Sequence, residues 1–148
     1  MSLHKYCEKI RNALEKFDSY GLSESADFQE EIRAGKQAII NAEVKLINSS
    51  VLIIREYVDA KYKLERLRYA YQYHDEEGIL IFRYDNAAHK PSLDFKEHKH
   101  LSDGKVIYAP PPDIFDLRYY EKTYYPLLLF FQYYDIIHII LNNKSAKE

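Results

Sequence analysis

The sequence predicts an α+β fold: an N-terminal helix, a four- to five-stranded antiparallel meander, and C-terminal helices packed on one face of the sheet. Three observations predict it. Apolar residues recur every three to four positions as far as Phe17, then every second position from Ala38. The period-two runs are separated only by short polar breaks, which suit hairpins rather than crossovers. The last apolar stretch, residues 126–141, is apolar on every side, as in a helix buried on more than one face. The chain reads as a single domain over residues 1–148, divided into an N-terminal helix (1–21), a sheet with a histidine-rich loop (36–109) and a helical region (113–142).

In the first element, Tyr6, Ile10, Leu14 (or Ala13) and Phe17 make one apolar face, with Ser2 as N-cap and Gly21 as terminator. Residues 22–35 are polar and acidic and read as a connector with a short helix around Phe28 and Ile32. Ala38, Ile40, Ala42, Val44 and Leu46 then share one face of a strand, opposite Asn41, Glu43 and Lys45. Asn48-Ser49-Ser50 is a turn, and residues 51–57 are a β-branched strand. A polar break follows near 59–63. Leu67, Tyr69, Tyr71 and Tyr73 alternate with Arg66, Arg68, Ala70, Gln72 and His74. Asp75-Glu76-Glu77-Gly78 is a hairpin loop whose glycine supplies positive φ, and residues 79–84 return directly.

Residues 85–112 hold His89, His98, His100 and the run Pro110-Pro111-Pro112, and only 105–109 reads as a further strand. Long irregular segments on small domains are disproportionately functional. Asp113 can cap a new helix, which Pro126 stops or kinks. The tyrosines of the C-terminal region, among them Tyr119, Tyr120, Tyr124, Tyr125, Tyr133 and Tyr134, suit helix packing or a partner surface, and a second chain is the expected cover.

Composition narrows the function classes. With 148 residues, 47% hydrophobic and 30% charged, the chain is long enough for one core. A formal net charge of −2 excludes a general polycation built to coat nucleic acid, although not a local basic groove. Arg66, Arg68, Lys96, Lys99 and Lys105 are the candidates for one. The one cysteine, Cys7, excludes an intramolecular disulfide and a cysteine zinc cluster. His4, Lys5, Glu8, Lys9, Arg11, Glu15 and Lys16 leave no apolar leader core near the start, and residues 126–141 are interrupted by Gln132, Asp135 and His138. A cytoplasmic protein that does not enter a membrane is expected.

The residues able to carry chemistry gather late in the sheet. His74, His89, His98 and His100 accompany Arg83, Asp85 and Asn86, and an extended His98-Lys99-His100 puts both imidazoles on one face. Two histidines suit a general base and a general acid around a phosphodiester, with Arg83 holding the phosphate; RNA carries its own nucleophile, the 2′-hydroxyl. Asp85, His89, His98 and His100 also have the donor set for a divalent metal. A polar network tying the loop to the sheet edge, with Arg83 and Asp85 as an internal ion pair, explains the same residues without chemistry. Glu56 is either a partner for Arg83 or a third catalytic group. Tyr71 and Tyr73 share a face on which bases could stack, although strand aromatics also occur simply because they pack well. His138 reads as a core or interface histidine, and His4 as surface.

Tyr71-Gln72-Tyr73-His74, Gly78, then Leu80-Ile81-Phe82-Arg83-Tyr84-Asp85-Asn86-Ala87-Ala88-His89 and finally His98-Lys99-His100 resemble the TumE family of proposed toxins from two-gene prokaryotic toxin–antitoxin modules. Arg55-Glu56 matches the end of that family's earlier strand run, and the resemblance covers residues 38–101. Ala88 stands where the family usually has proline, and Phe95-Lys96-Glu97 where it favours Phe-Pro-His. The resemblance implies a growth inhibitor silenced by a cognate antitoxin protein. Together, residues and resemblance make a metal-independent RNA endonuclease without cofactor the expected activity. Its expected catalytic residues are His98, His100, His89, Arg83, Asp85 and Glu56, with Asn86, His74, Tyr71, Tyr73 and Lys99 at the substrate. A non-enzymatic module that oligomerises through its tyrosine-rich C-terminus, and a metal-dependent hydrolase of nucleic acid, are the alternatives.

Overall fold

The computed structural model describes residues 1–19 and 21–112; the expected helical region 113–142, with its tyrosines and His138, lies outside the described residues. One helix, α1 (Leu3–Ser19), precedes seven strands: β1 (Ser23–Arg33), β2 (Gln37–Leu46), β3 (Val51–Asp59), β4 (Glu65–His74), β5 (Leu80–Asp85), β6 (His98–Leu101) and β7 (Val106–Tyr108). They form one antiparallel sheet in chain order. No helix among the described residues is long and apolar enough to cross a membrane.

The helix is bounded by the residues its sequence proposes. Ser2 Oγ accepts the Lys5 N–H at 3.2 Å, an N-cap bond. At the other end Leu22 N–H donates to Phe17 C=O and Gly21 N–H to Asp18 C=O, with Gly21 at φ +66°. That pair of bonds is a Schellman termination, and the left-handed φ is why glycine suits the position. Tyr6, Cys7, Ile10, Leu14 and Phe17 are buried against the sheet, each large side chain contributing about 1.5–3 kcal/mol of hydrophobic stabilisation. Their counterparts are Ala38, Ile40, Ala42, Val44 and Leu46 of β2 and Leu52, Ile54 and Val58 of β3.

The sheet is larger than the four or five strands expected. The polar segment 22–35 holds β1 rather than a connector with a short helix: it pairs with β2 from Ser23↔Leu46 to Arg33↔Gln37. Nearly all of its residues are exposed, so no apolar alternation marks it as a strand. Its charges suit an edge that must not recruit another strand. At the opposite end, His98-Lys99-His100 is itself paired, as β6, between β5 and β7.

Of three register shifts among the described residues, one opens β1 at Ser23/Ser25 and two lie in the strands that carry the site. Tyr57 pairs with Arg68 but Val58 with Arg66, so Leu67 is an extra residue in β4. One inserted residue reverses the alternation, and Arg66 therefore joins Tyr69, Tyr71 and Tyr73 on the helix-bearing face, where its Nη1 donates to Tyr71 OH at 2.8 Å. Leu67, expected on that face, is instead exposed. Asn86 closes the bulge by accepting the Tyr69 N–H and donating to the Leu67 C=O, at 3.1 and 3.2 Å. The second bulge, at Ile81 opposite Tyr73 and His74, lies beside the β4–β5 turn.

Candidate active site

The strand registers bring five residues together on the face opposite α1. Asp85 pairs with His98 and Arg83 with His100 across β5 and β6, so all four side chains project to one side. His89, from the loop after β5, packs on them: its ring lies 4.6 Å from that of His98, edge-on, and 5.2 Å from that of His100, nearly parallel. Three short segments, all within residues 83–100, thus converge on one carboxylate.

Asp85 is the centre. It is 1% exposed, and its Oδ1 accepts the Ala87 N–H at 2.9 Å and lies 3.0 Å from His98 Nε2. Its Oδ2 is 2.6 Å from Arg83 Nε and 3.3 Å from His100 Nε2. Neither Arg83 Nε nor Asp85 Oδ2 has a well-aimed hydrogen bond, however. These are close charge contacts, and a short distance is not by itself hydrogen-bond geometry. The internal ion pair expected of Arg83 and Asp85 is present, within a larger cluster.

The histidines differ in access. His98 is fully buried and His100 and His89 are half-buried. His98 Nδ1 lies 2.8 Å from the Lys96 carbonyl oxygen, which can only accept, so Nδ1 carries a hydrogen. His98 Nε2 is then the atom that meets His89 Nε2 at 2.9 Å. Burial, with help from His98, Arg83 and His89, holds the His100 imidazole below its ordinary value, against the pull of Asp85. A neutral ring is thereby favoured, and Nε2 is the nitrogen turned to the carboxylate, 3.3 Å away.

Several expected site residues lie elsewhere. Glu56 is on the α1 side of the sheet, 3% exposed, and accepts hydrogen bonds from Tyr6 OH at 2.6 Å and from Tyr71 OH. Burial pushes its carboxyl above the ordinary range, opposed by the two hydroxyls and Arg66. It does not meet Arg83, because residues 55 and 56 alternate across the sheet and Arg55 takes the cluster-bearing face. Tyr71 and Tyr73 are buried on the α1 side, their rings stacked on Tyr69 and Phe82 and the Tyr73 hydroxyl donated to Ser50 Oγ. Neither offers a ring face to a base. Lys99 alternates to that side too, its Nζ 5.0 Å from the Tyr84 ring centroid and 5.1 Å from that of Phe82. Asn86 is committed to the bulge, and His74 is held in the β4–β5 hairpin by Gly78 C=O and Gln72 Oε1.

Beside the cluster, on the same face, opens a cavity of about 700 Å³ lined by Asn41, Arg55, Tyr57, Arg68, Ala70 and Lys96 among others. Of the five cations proposed for a basic groove, Arg68 and Lys96 line it. Arg66 and Lys99 are on the other side, and Lys105 pairs with Asp103 at 3.2 Å. Sequence reasoning missed Arg55, Tyr57 and Ala70 as lining residues; their alternation was legible, but not which strand stands beside Asp85.

Asp85, His89, His98 and His100 each offer a ligand atom, and these atoms lie within 4.8 Å of one another. The donors suit a borderline divalent ion such as zinc, and the His98 Nδ1 bond to a backbone carbonyl is the outer contact usual for a metal-bound histidine.

The family model for the toxin TumE matches residues 11–128. No curated protein and no solved structure matches the chain.

Proposed function

Because the chain belongs to the TumE toxin family, we propose that it is the toxin of a toxin–antitoxin pair and that it cleaves RNA at the Asp85 cluster without a metal. The convergence of Arg83, His89 and His100 around one buried carboxylate carries this reading. In the reaction His100 Nδ1 removes the 2′-hydroxyl proton. The 2′-oxygen attacks the adjacent phosphorus, the 5′-oxygen leaves, and His89 returns a proton to it, giving a 2′,3′-cyclic phosphate and a 5′-hydroxyl. Arg83 neutralises the charge that builds on the phosphoryl oxygens. Asp85 and His98 are positioning residues: neither reaches solvent, and each holds a group that does. Of the three histidines expected to move protons, His100 and His89 keep those roles and His98 becomes a positioning residue, because a fully buried ring cannot touch substrate.

The test is cleavage of end-labelled RNA by purified protein in excess chelator, beside His100→Ala and His89→Ala. Cyclic-phosphate products from the wild type, lost in both variants, support the reading. A folded wild type that leaves RNA intact under every condition refutes it.

One observation favours a metal-dependent variant of the same activity. With Nδ1 of His98 hydrogen-bonded to Lys96, a neutral ring turns the Nε2 lone pair toward the Asp85 carboxylate 3.0 Å away. A shared proton relieves that repulsion, and so does a divalent cation. Stoichiometric metal in the purified protein, with activity lost on chelation and restored by the ion, would select this form.

A further inference from the structure

Strand registers align a row of residues across the cluster-bearing face. Asn41 pairs with Arg55, Arg55 with Ala70, Ala70 with Asp85, and Asp85 with His98. A second row runs beside it, Ile39 to Tyr57 to Arg68. Neighbouring strands are about 4.8 Å apart, so Arg55 stands about 10 Å from the Asp85 position. Between them Ala70 contributes only a methyl group, which makes the floor of the 700 Å³ cavity.

Three cations stand in the lining of this cavity among apolar residues such as Ile39, Leu67 and Ala88. Arg55, Arg68 and Lys96 are exposed, and none has a counter-ion among the described residues. The one acidic residue of the lining, Glu56, has its carboxylate on the far side of the sheet, bonded to Tyr6 and Tyr71. The cationic character also has an end. Past Asn41 the face presents Asp27 and Glu43, which repel a phosphate. Tyr57, half-buried with its hydroxyl tied to Gln37 Oε1 at 2.7 Å, is an aromatic side chain held in place in the lining.

We infer that this groove is the track for a single RNA strand leading to the Asp85 cluster, with backbone phosphates on Arg55, Arg68 and Lys96 and a base stacked on Tyr57. The inference rests on the ribonuclease reading and adds the substrate form and the side from which it arrives. Cations beside a fixed aromatic ring are the combination by which proteins hold single strands with little sequence preference. A base paired within a duplex has no free face for Tyr57.

The experiment measures binding of a fluorescent single-stranded oligoribonucleotide, and of a duplex of equal length, to the full chain carrying His100→Ala so that nothing is cut. Titrations are repeated over a salt series. Each of Arg55→Ala, Arg68→Ala and Lys96→Ala should weaken binding and lower the log–log salt slope by about 0.7. Tyr57→Ala should weaken it about ten-fold or more while leaving that slope unchanged. Arg33→Ala, a β1 cation paired with Glu31, should change neither. Ala70→Leu should block the strand without altering the cations. Unchanged affinity and slope in the triple cation variant would overturn the track, as would equal affinity for the duplex. Capture of a polyglutamate peptide with no affinity for RNA would also overturn it, showing a groove for an acidic protein segment. The two readings fail separately. Cleavage that persists while groove variants bind normally removes only the track; altered binding with no cleavage by the wild type removes only the nuclease.

Discussion

Replacing Glu56 discriminates sharply between a reacting group and a structural one. Its carboxylate is 3% exposed and accepts the hydroxyls of Tyr6 and Tyr71, while Arg66 donates to the latter. Hydrogen bonds to a charged partner contribute about 1.5–3 kcal/mol each. Against that stands the cost of keeping a carboxylate out of water, which is why its proton affinity is raised. Glu56→Ala removes both acceptors and leaves a small void, for an expected net loss of about 2–4 kcal/mol. Glu56→Gln keeps a carbonyl for one hydroxyl and offers an amide N–H to the other oxygen, and should cost less than about 1 kcal/mol.

The sign of the pH dependence follows from the raised proton affinity. The folded state binds this proton more tightly than the unfolded one. The resulting stability is complete below the ordinary glutamate range and is lost as pH rises through the higher folded value. Glu56→Gln lacks that loss, so its stability relative to wild type should grow with pH across the window. Urea unfolding of the three proteins between about pH 4 and pH 8 measures all of this, and RNA cleavage by Glu56→Gln should persist. An alanine variant within about 0.5 kcal/mol of wild type would refute the network. A folded glutamine variant without cleavage would return Glu56 to the chemistry.

Other outcomes are expected at the cluster and its border. Asp85→Asn removes the charge that raises the His100 proton affinity, so the acidic limb of the kcat/KM profile should move to lower pH as the maximum falls about 10²-fold; an unmoved limb would mean that His100 is not the base. His98→Ala should lower kcat with KM nearly unchanged, because a buried ring orients His89 without touching RNA; a change confined to KM would contradict that. Asn86→Ala leaves the buried Tyr69 N–H without its acceptor and should cost about 1–3 kcal/mol, read as a lower urea midpoint with the slope unchanged.

The sequence by itself determined what lies within each element. A 3.6-residue period placed Tyr6, Ile10, Leu14 and Phe17 on the buried side of α1, with Ser2 as its cap. A period of two placed the β2 core and told that His98 and His100 share a side opposite Lys99. Alternation is a property of the local chain, so it survives in the sequence. Only the tertiary structure decided which sides meet. The strand β1 is charged on both faces, and pairing with β2 supplies what its side chains do not advertise. One extra residue, Leu67, carries Arg66 through the sheet to Tyr71 and away from the groove its charge suggested. Glu56 and Asp85 are similar carboxylates with opposite surroundings, because the registers of β3, β4 and β5 put one beneath α1 and the other beside three histidines. Register depends on turns and bulges summed across the whole sheet, and no window of sequence short enough to show a period contains it.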